Sequence, residues 1–164
     1  MKSIWVLLCL LISLSSKANE SYELAFEHFV NNSNGLFQFS DNFLNQIQKL
    51  DIEPEIKDSL IRCATEDKLF YLKDFIPIFQ RYLTADDLNK ASNWLMSKEG
   101  KLWFNIHKGL VNVNELTKSQ IEQINEFTGG KIMRNLDIAT KESIDIAPSS
   151  SQKFADYCIA KSGL

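Results

Sequence analysis

Apolar residues recur every three or four positions along most of the chain after residue 20, and this spacing is the strongest constraint on the fold. It places apolar side chains on one face of a helix, whereas a half-buried strand needs alternation at every second residue. No stretch keeps such alternation. The sequence therefore predicts an all-α protein, a compact bundle of about eight short helices. The first three stripes are Tyr22/Ala25/Phe26/Phe29, Leu36/Phe39/Phe43/Ile47/Leu50 and Ile56/Leu60/Ile61/Cys63/Ala64.

Prolines and a serine-rich stretch mark the predicted boundaries between helices. Pro54 suits the first position of a helix, where its missing N–H costs nothing. Residues 69–83 are apolar on most sides, which predicts a central buried helix, and Pro77 is expected to kink or split it. Residues 146–151 read Ile-Ala-Pro-Ser-Ser-Ser, and this composition predicts a linker before the last helix.

The first 18 residues have the features of a secretion signal. An apolar run over residues 4–14 follows Lys2 and is shorter than the roughly 20 residues that span a bilayer. Ser16 and Ala18 are small residues two apart, as a signal peptidase requires, so cleavage is expected after Ala18. An uncleaved membrane anchor stays the alternative, and a lipid on Cys9 is disfavoured because Cys9 lies within the run. Residues 19–164 would then form a single helical domain in the periplasm or outside the cell.

The charge of the processed chain argues against a nucleic-acid partner, and its hydropathy argues against an integral membrane span. The sequence carries 18 basic and 21 acidic residues, and the signal would remove two lysines. A nucleic-acid-binding surface would need basic residues clustered on one face, so no nucleic-acid partner is expected. No second apolar run approaches bilayer length, so no integral membrane span is expected after processing.

Two cysteines, Cys63 and Cys158, remain once Cys9 leaves with the signal. In an oxidising compartment two cysteines most simply form one disulfide. Two buried free thiols are the alternative.

An internal repeat is the most specific signal in the sequence, and it predicts two related helical hairpins near residues 83–112 and 116–145. The offset between the copies is 33 residues through Phe127 and 30 afterwards, which predicts a shorter turn in the second copy. The matched positions are Thr84, Asp87, Leu88, Trp94 and Gly100 in the first copy and Thr117, Gln120, Ile121, Phe127 and Gly130 in the second.

Each repeated position has a physical role. The two threonines are predicted N-caps, and Asp87 and Gln120 at the third helical position complete capping boxes. Leu88 and Ile121 form hydrophobic staples with the leucines that precede the caps. Both glycines come where the chain turns into the next helix, and there they permit close backbone approach or positive φ. Chance similarity between two helical hairpins is the alternative to a true duplication.

The first copy resembles domain of unknown function 2059, a family of small secreted bacterial proteins. Residues 81–88 and 93–102 carry the resemblance, since the family reads aromatic–Leu/Phe–Thr–x–x–Glu–Leu, an aromatic pair, then Ser-Pro-x-Gly-Lys. Here Asp87 replaces the Glu, Trp94 and Leu95 stand for the aromatic pair, and Lys98 replaces the Pro. The resemblance implies a helical periplasmic protein and brings with it no catalytic residues.

The sequence lacks the patterns that carry catalysis or bind a cofactor. His28 and His107 are the only histidines, and neither has a sequence neighbour that makes it a catalytic base. No His-x3-His, Glu-x-x-His or Cys-x-x-Cys spacing predicts a metal or redox site, and no cofactor is expected. We therefore expect a non-enzymatic protein that binds an envelope protein or an apolar ligand through its helical surfaces. The alternative is a hydrolase or other enzyme whose residues meet only in three dimensions.

Overall fold

The computed structural model describes residues 21–33, 44–45, 47–49 and 51–163, and every regular element in these residues is helical. The all-α prediction is therefore confirmed for this part of the chain. The predicted signal over residues 1–18 lies outside the described residues, as do Leu36, Phe39, Phe43 and Leu50 of the second stripe. Ile47 of the same stripe is described and buried.

Helix α1 covers residues 21–32, and residues 44–45 and 47–49 are also helical. The next elements are α2 (Pro54–Glu66), α3 (Lys68–Leu72), α4 (Ile76–Gln80), α5 (Ala85–Met96), α6 (Lys98–His107), a 3-10 turn (Val113–Glu115), α7 (Lys118–Thr128) and α8 (Lys131–Lys161). Pro54 begins α2 as predicted.

Helix α8 is 31 residues long and forms the centre of the fold, with α2, α3, α4, α5 and α7 packed along it. The predicted linker at 146–151 is wrong, because these residues are helical throughout. A single stripe of buried or half-buried side chains runs through this region at steps of three and four: Leu136, Ala139, Ser143, Ile146, Ala147, Ser150, Phe154 and Cys158.

Serines remain compatible with helix α8 because their hydroxyls have acceptors inside or beside it. Ser149 Oγ donates to the carbonyl of Ile146 at 2.9 Å, and Ser151 Oγ donates to that of Ala147 at 2.5 Å. Ser150 Oγ donates instead to Asp74 Oδ2 at 2.8 Å, which connects α8 to the turn between α3 and α4. The small side chains thus allow close packing where their composition alone suggests a loop.

Pro148 lies inside α8 on its exposed side. Because proline has no N–H, the carbonyl of Ile144 lacks its usual helical partner. Ile144 is itself exposed, so water can reach that carbonyl. The helix therefore continues past the proline.

The apolar segment 69–83 is divided in two, as Pro77 predicts. Residues 73–75 form a turn, and Pro77 occupies the first turn of α4. Phe79 is fully buried, with its ring centroid 4.9 Å from that of Phe26 and 6.4 Å from that of Phe29. The predicted burial fails at the start of the segment, where Leu69 and Phe70 are exposed.

Both predicted capping boxes are present. Thr84 Oγ1 accepts a hydrogen bond from Asp87 N at 3.1 Å, and Asp87 Oδ2 accepts one from Thr84 N at 3.0 Å. In the second copy, Thr117 Oγ1 accepts from Gln120 N at 3.3 Å, and Gln120 Oε1 accepts from Thr117 N at 2.8 Å. Each box satisfies two backbone N–H groups at or beside the helix start.

The predicted change of offset after Phe127 is wrong. The N-caps of α6 and α8 are Ser97 and Gly130, which are 33 residues apart, as are Thr84 and Thr117. Gly100 lies within the first turn of α6, whereas Gly130 precedes α8, so the two glycines are not equivalent. Neither has positive φ, since the described positive-φ glycines are Gly109 and Gly163.

The predicted repeat units also differ in how they end. Leu110 lies within the first predicted unit, 83–112, but is 70% exposed because α6 ends at His107. The second unit has no boundary near residue 145, since α8 continues to Lys161. The two units therefore match from their caps through the start of their second helices.

A disulfide joins Cys63 of α2 to Cys158 near the end of α8, with the two Cα atoms 5.7 Å apart. Both side chains are buried. Lys161, in the last turn of α8, makes an ion pair with Asp67, which directly follows α2. The end of α2 is therefore held against the last turns of α8 by a covalent bond and a charged contact.

Replacing either threonine cap should destabilise the protein measurably. We expect Thr84→Ala and Thr117→Ala each to lower the free energy of unfolding by about 1 kcal/mol, because each removes the side-chain acceptor at a helix start. Equilibrium urea unfolding measures the change. Thr140→Ala is the matched control, since Thr140 is exposed inside α8 and alanine is the better helix former there. Equal effects at all three positions would contradict the capping argument.

Candidate functional site

The two hairpins meet at an open groove of about 640 Å³. This volume lies in the range of small-molecule pockets. Its walls come from the end of α5, the start of α6, helix α7 and the start of α8. The lining residues are Trp94, Glu99, Gln123, Glu126, Phe127, Gly130, Lys131 and Ile132.

A stacked aromatic pair forms the apolar part of the groove. The rings of Trp94 and Phe127 lie parallel, with centroids 4.3 Å apart and an interplanar angle of 7°. Trp103 of α6 meets Trp94 edge to face at 5.8 Å. Trp94 and Phe127 occupy equivalent positions in the two copies of the repeat, so the stack lies where the copies contact each other. Both rings are half-buried.

Charged groups surround this aromatic pair. Glu99 is in the first turn of α6, Glu126 is near the end of α7, and Lys131 begins α8. No Lys, Arg or His of the described residues makes an ion pair with either glutamate. The groove thus combines an aromatic surface with two carboxylates that have no cationic partner in the described part of the chain.

Lys131 acts on a neighbouring carboxylate at the first capping box. The pKa of Asp87 is lowered, chiefly by the hydrogen bond from the Thr84 backbone N–H and further by the Thr84 hydroxyl and the positive charges of Lys90 and Lys131. Lys131 therefore lies close enough to Asp87 for its positive charge to favour the ionised carboxylate. The groove keeps a negative balance from Glu99 and Glu126.

Ser92 approaches His28 and Asn32, and this cluster is the one that the alternative of an enzyme would require. Asn32 Nδ2 donates to Ser92 Oγ at 2.8 Å and to His28 Nε2 at 3.0 Å, and His28 Nδ1 lies 3.3 Å from Ser92 Oγ. Because Nε2 is an acceptor, the neutral ring carries its proton on Nδ1 and donates to the serine. A general base must instead accept the serine proton. Ser92 is fully buried, so the cluster is a polar contact between α1 and α5.

The second histidine lies beside the groove aromatics without entering the groove. His107 Nδ1 donates to the carbonyl of Trp103 at 2.9 Å, and its ring lies 4.2 Å from that of Trp103. His107 is exposed. Within the described residues, no group of three or more His, Cys, Asp or Glu side chains could hold a metal ion.

A second aromatic surface lies near the disulfide. Phe70 is 45% exposed, and its ring stacks on Tyr157 with centroids 4.2 Å apart. Leu69 and Ile159 are also exposed. Lys161 places its ammonium 6.0 Å from the Tyr157 ring centroid, so this surface already has a cation of its own chain.

The sequence predicted part of the groove. Trp94, Phe127 and Gly130 were predicted as repeat positions, and the structure brings all three to its wall. Glu99, Glu126 and Lys131 were not predicted, because isolated charged residues near helix ends carry no pattern of their own. A uniform 33-residue offset makes Glu99 and Ile132 equivalent positions of the two copies, and both of these residues line the groove. The other predicted repeat positions are structural: Leu88 is buried in the core and Gly100 is a contact between α5 and α6.

These features define a class of protein: an all-helical, disulfide-bridged chain with two capped hairpins that meet at an aromatic groove. No family model, curated protein or solved structure matches the chain. The resemblance to domain of unknown function 2059 depends on residues 81–102 and stays a prediction. No helix among the described residues is both long and apolar enough to cross a membrane.

Proposed function

We propose that this chain is an exported, non-enzymatic protein of the bacterial envelope that binds a ligand or a partner segment in the groove between its hairpins. The observation that carries the proposal is the stack of Trp94 on Phe127 in a concave site. Aromatic side chains supply large contact area, and a few polar groups around them orient what binds. Glu99, Glu126 and Lys131 would have that orienting role.

Export is supported by the apolar run at residues 4–14 and by the disulfide, a bond typical of oxidising compartments. We expect a mature N-terminus at Asn19 in material recovered from the envelope. Intact-mass measurement or N-terminal sequencing decides this. A retained Trp5, or a lipid on Cys9, would contradict the proposed processing.

Binding in the groove can be tested with a neutral apolar probe. We expect the fluorescent dye N-phenyl-1-naphthylamine to bind the mature protein, and Phe127→Ala to weaken binding about tenfold, the equivalent of about 1.4 kcal/mol, through lost ring contact. Phe70→Ala is the matched control, because Phe70 is also a stacked, partly exposed aromatic residue but lies on the other surface. Circular dichroism of both variants verifies that they remain folded.

Two results would oppose the groove as the binding site. Dye binding that weakens with Phe70→Ala and not with Phe127→Ala would move the site to the surface beside the disulfide. Absence of dye binding to the folded mature protein would remove the support for an apolar site altogether.

A further inference from the structure

We infer that the natural occupant of the groove is an arginine side chain presented by an extended segment of a partner protein. This inference rests on the proposed binding function and adds the chemistry of the partner. It follows from three features of the groove: its uncompensated carboxylates, its aromatic stack and its open shape.

The two carboxylates of the groove favour a positively charged occupant. Glu99 and Glu126 both line the groove, and neither makes an ion pair with a described cationic residue. Lys131 also lines it, so two carboxylates face one ammonium and the lining keeps a net negative charge. An anionic ligand would face two negative groups at close range, whereas a cation would complement them.

The aromatic stack selects the kind of cation. A guanidinium is planar, weakly hydrated and able to stack on a ring while its N–H groups bind a carboxylate in a fork. An ammonium is a compact, strongly hydrated charge that gains less from the ring face. Trp94 is the residue type with the strongest attraction for a cation above its ring.

The chain itself leaves this aromatic site without a cation in the described residues. Its own cation–ring contacts are Arg81 on Tyr82 at 5.6 Å, Lys108 on Phe104 at 4.4 Å and Lys161 on Tyr157. None of these involves Trp94, Trp103 or Phe127. The groove is open to solvent, so an extended segment can lay one long side chain into it.

The experiment compares peptides that differ in one group. The sequence acetyl-Gly-Leu-Xaa-Leu-Gly-amide is made with arginine, lysine, citrulline or glutamate at Xaa, and each peptide is titrated calorimetrically into the mature disulfide-bonded protein. Citrulline keeps the planar shape of arginine without its charge. We expect the arginine peptide to bind at least about tenfold more tightly than the citrulline peptide, with lysine between them and glutamate weakest. The affinity for arginine should fall between about 50 mM and about 500 mM NaCl, because exposed ion pairs are screened.

Charge-neutral variants locate the interaction. We expect Glu99→Gln with Glu126→Gln to reduce the arginine-to-citrulline ratio to less than about twofold. Glu115→Gln is the matched control, since Glu115 is exposed on the 3-10 turn and outside the groove, and it should leave the ratio unchanged. N-acetyl-arginine amide tests the source of the cation and should bind much more weakly than the peptide.

The outcomes separate this inference from the function on which it rests. Equal affinity for arginine and citrulline, with dye binding still dependent on Phe127, would overturn the inference and leave the apolar groove intact. N-acetyl-arginine amide binding as tightly as the peptide would replace the partner protein by a small cationic ligand. A folded protein that binds neither dye nor any peptide would overturn both proposals.

Discussion

Removing the bridge between Cys63 and Cys158 should lower the free energy of unfolding by about 4 to 5 kcal/mol. The bridge closes a loop of 95 residues, so in the chain-entropy model it removes a large number of conformations from the unfolded chain. It also holds α2 against the end of α8. A loss of this size is a large share of the free energy of unfolding of a typical single domain.

Urea unfolding of the oxidised protein, of the reduced protein and of Cys63→Ala with Cys158→Ala measures this effect. The reduced protein keeps both buried sulfur atoms, so its difference from the oxidised protein reports the cross-link alone. The double alanine variant adds the loss of packing at two buried positions. Without the bridge, the free energy of unfolding should also fall more steeply with urea concentration, because the unfolded chain becomes less compact. Equal stability of the oxidised and reduced proteins would contradict the assignment of the bridge as a main stabilising element.

The second large effect is expected at Gly100, where an added methyl group would meet backbone. A Cβ on Gly100 would lie 2.1 Å from the carbonyl oxygen of Trp94 and 2.7 Å from the Cα of Leu95. Backbone atoms cannot move aside as a side chain can, so α6 must shift away from α5. We expect Gly100→Ala to lower the free energy of unfolding by about 3 kcal/mol, at the upper end of overpacking effects. Because Trp94 lines the groove, dye binding should weaken as well.

Two other glycines provide controls for Gly100→Ala. Gly130→Ala should cost less, because its Cβ would lie 3.0 Å from the carbonyl oxygen of Phe127 and 3.4 Å from that of Glu126, both longer than the contacts at Gly100. Gly109 has φ of +69° and open space around it, so Gly109→Ala tests backbone strain without a clash, at about 1 to 2 kcal/mol. Thermal or urea unfolding of the three variants ranks them. A Gly130→Ala variant as unstable as Gly100→Ala would contradict the different structural roles of the two glycines.

Features that depend on neighbouring residues could be predicted from the sequence. The capping boxes need only a threonine and a polar side chain three positions later, so their geometry is decided within one helical turn. The disulfide was also predictable, since it depends on the count of cysteines and on the compartment. The split of segment 69–83 just before Pro77, at residues 73–75, follows from the chemistry of proline in the same way.

Features that depend on packing were predicted wrongly or not at all. The composition of residues 146–151, three serines and a proline, suggests a loop. A serine hydroxyl can bond to nearby backbone groups in irregular conformations, and these bonds compete with those of a helix. In the fold, Ser150 bonds to Asp74 and the small side chains allow α8 to pass close to its neighbours. Those contacts, made across 76 residues of sequence, stabilise the helix where local preference does not.

The sequence by itself determined the helical class, the starts of the repeated hairpins and the pairing of the two cysteines, because each depends on local spacing or on simple counting. Only the tertiary structure decided that α8 is continuous, that the repeat keeps a uniform 33-residue offset and that Trp94 stacks on Phe127. The groove depends on the packing of the two hairpins, and Glu99 and Glu126 become part of a site only where that packing places them beside the aromatic pair. Such proximity arises from contacts distant in sequence, which periodicity along one helix does not encode.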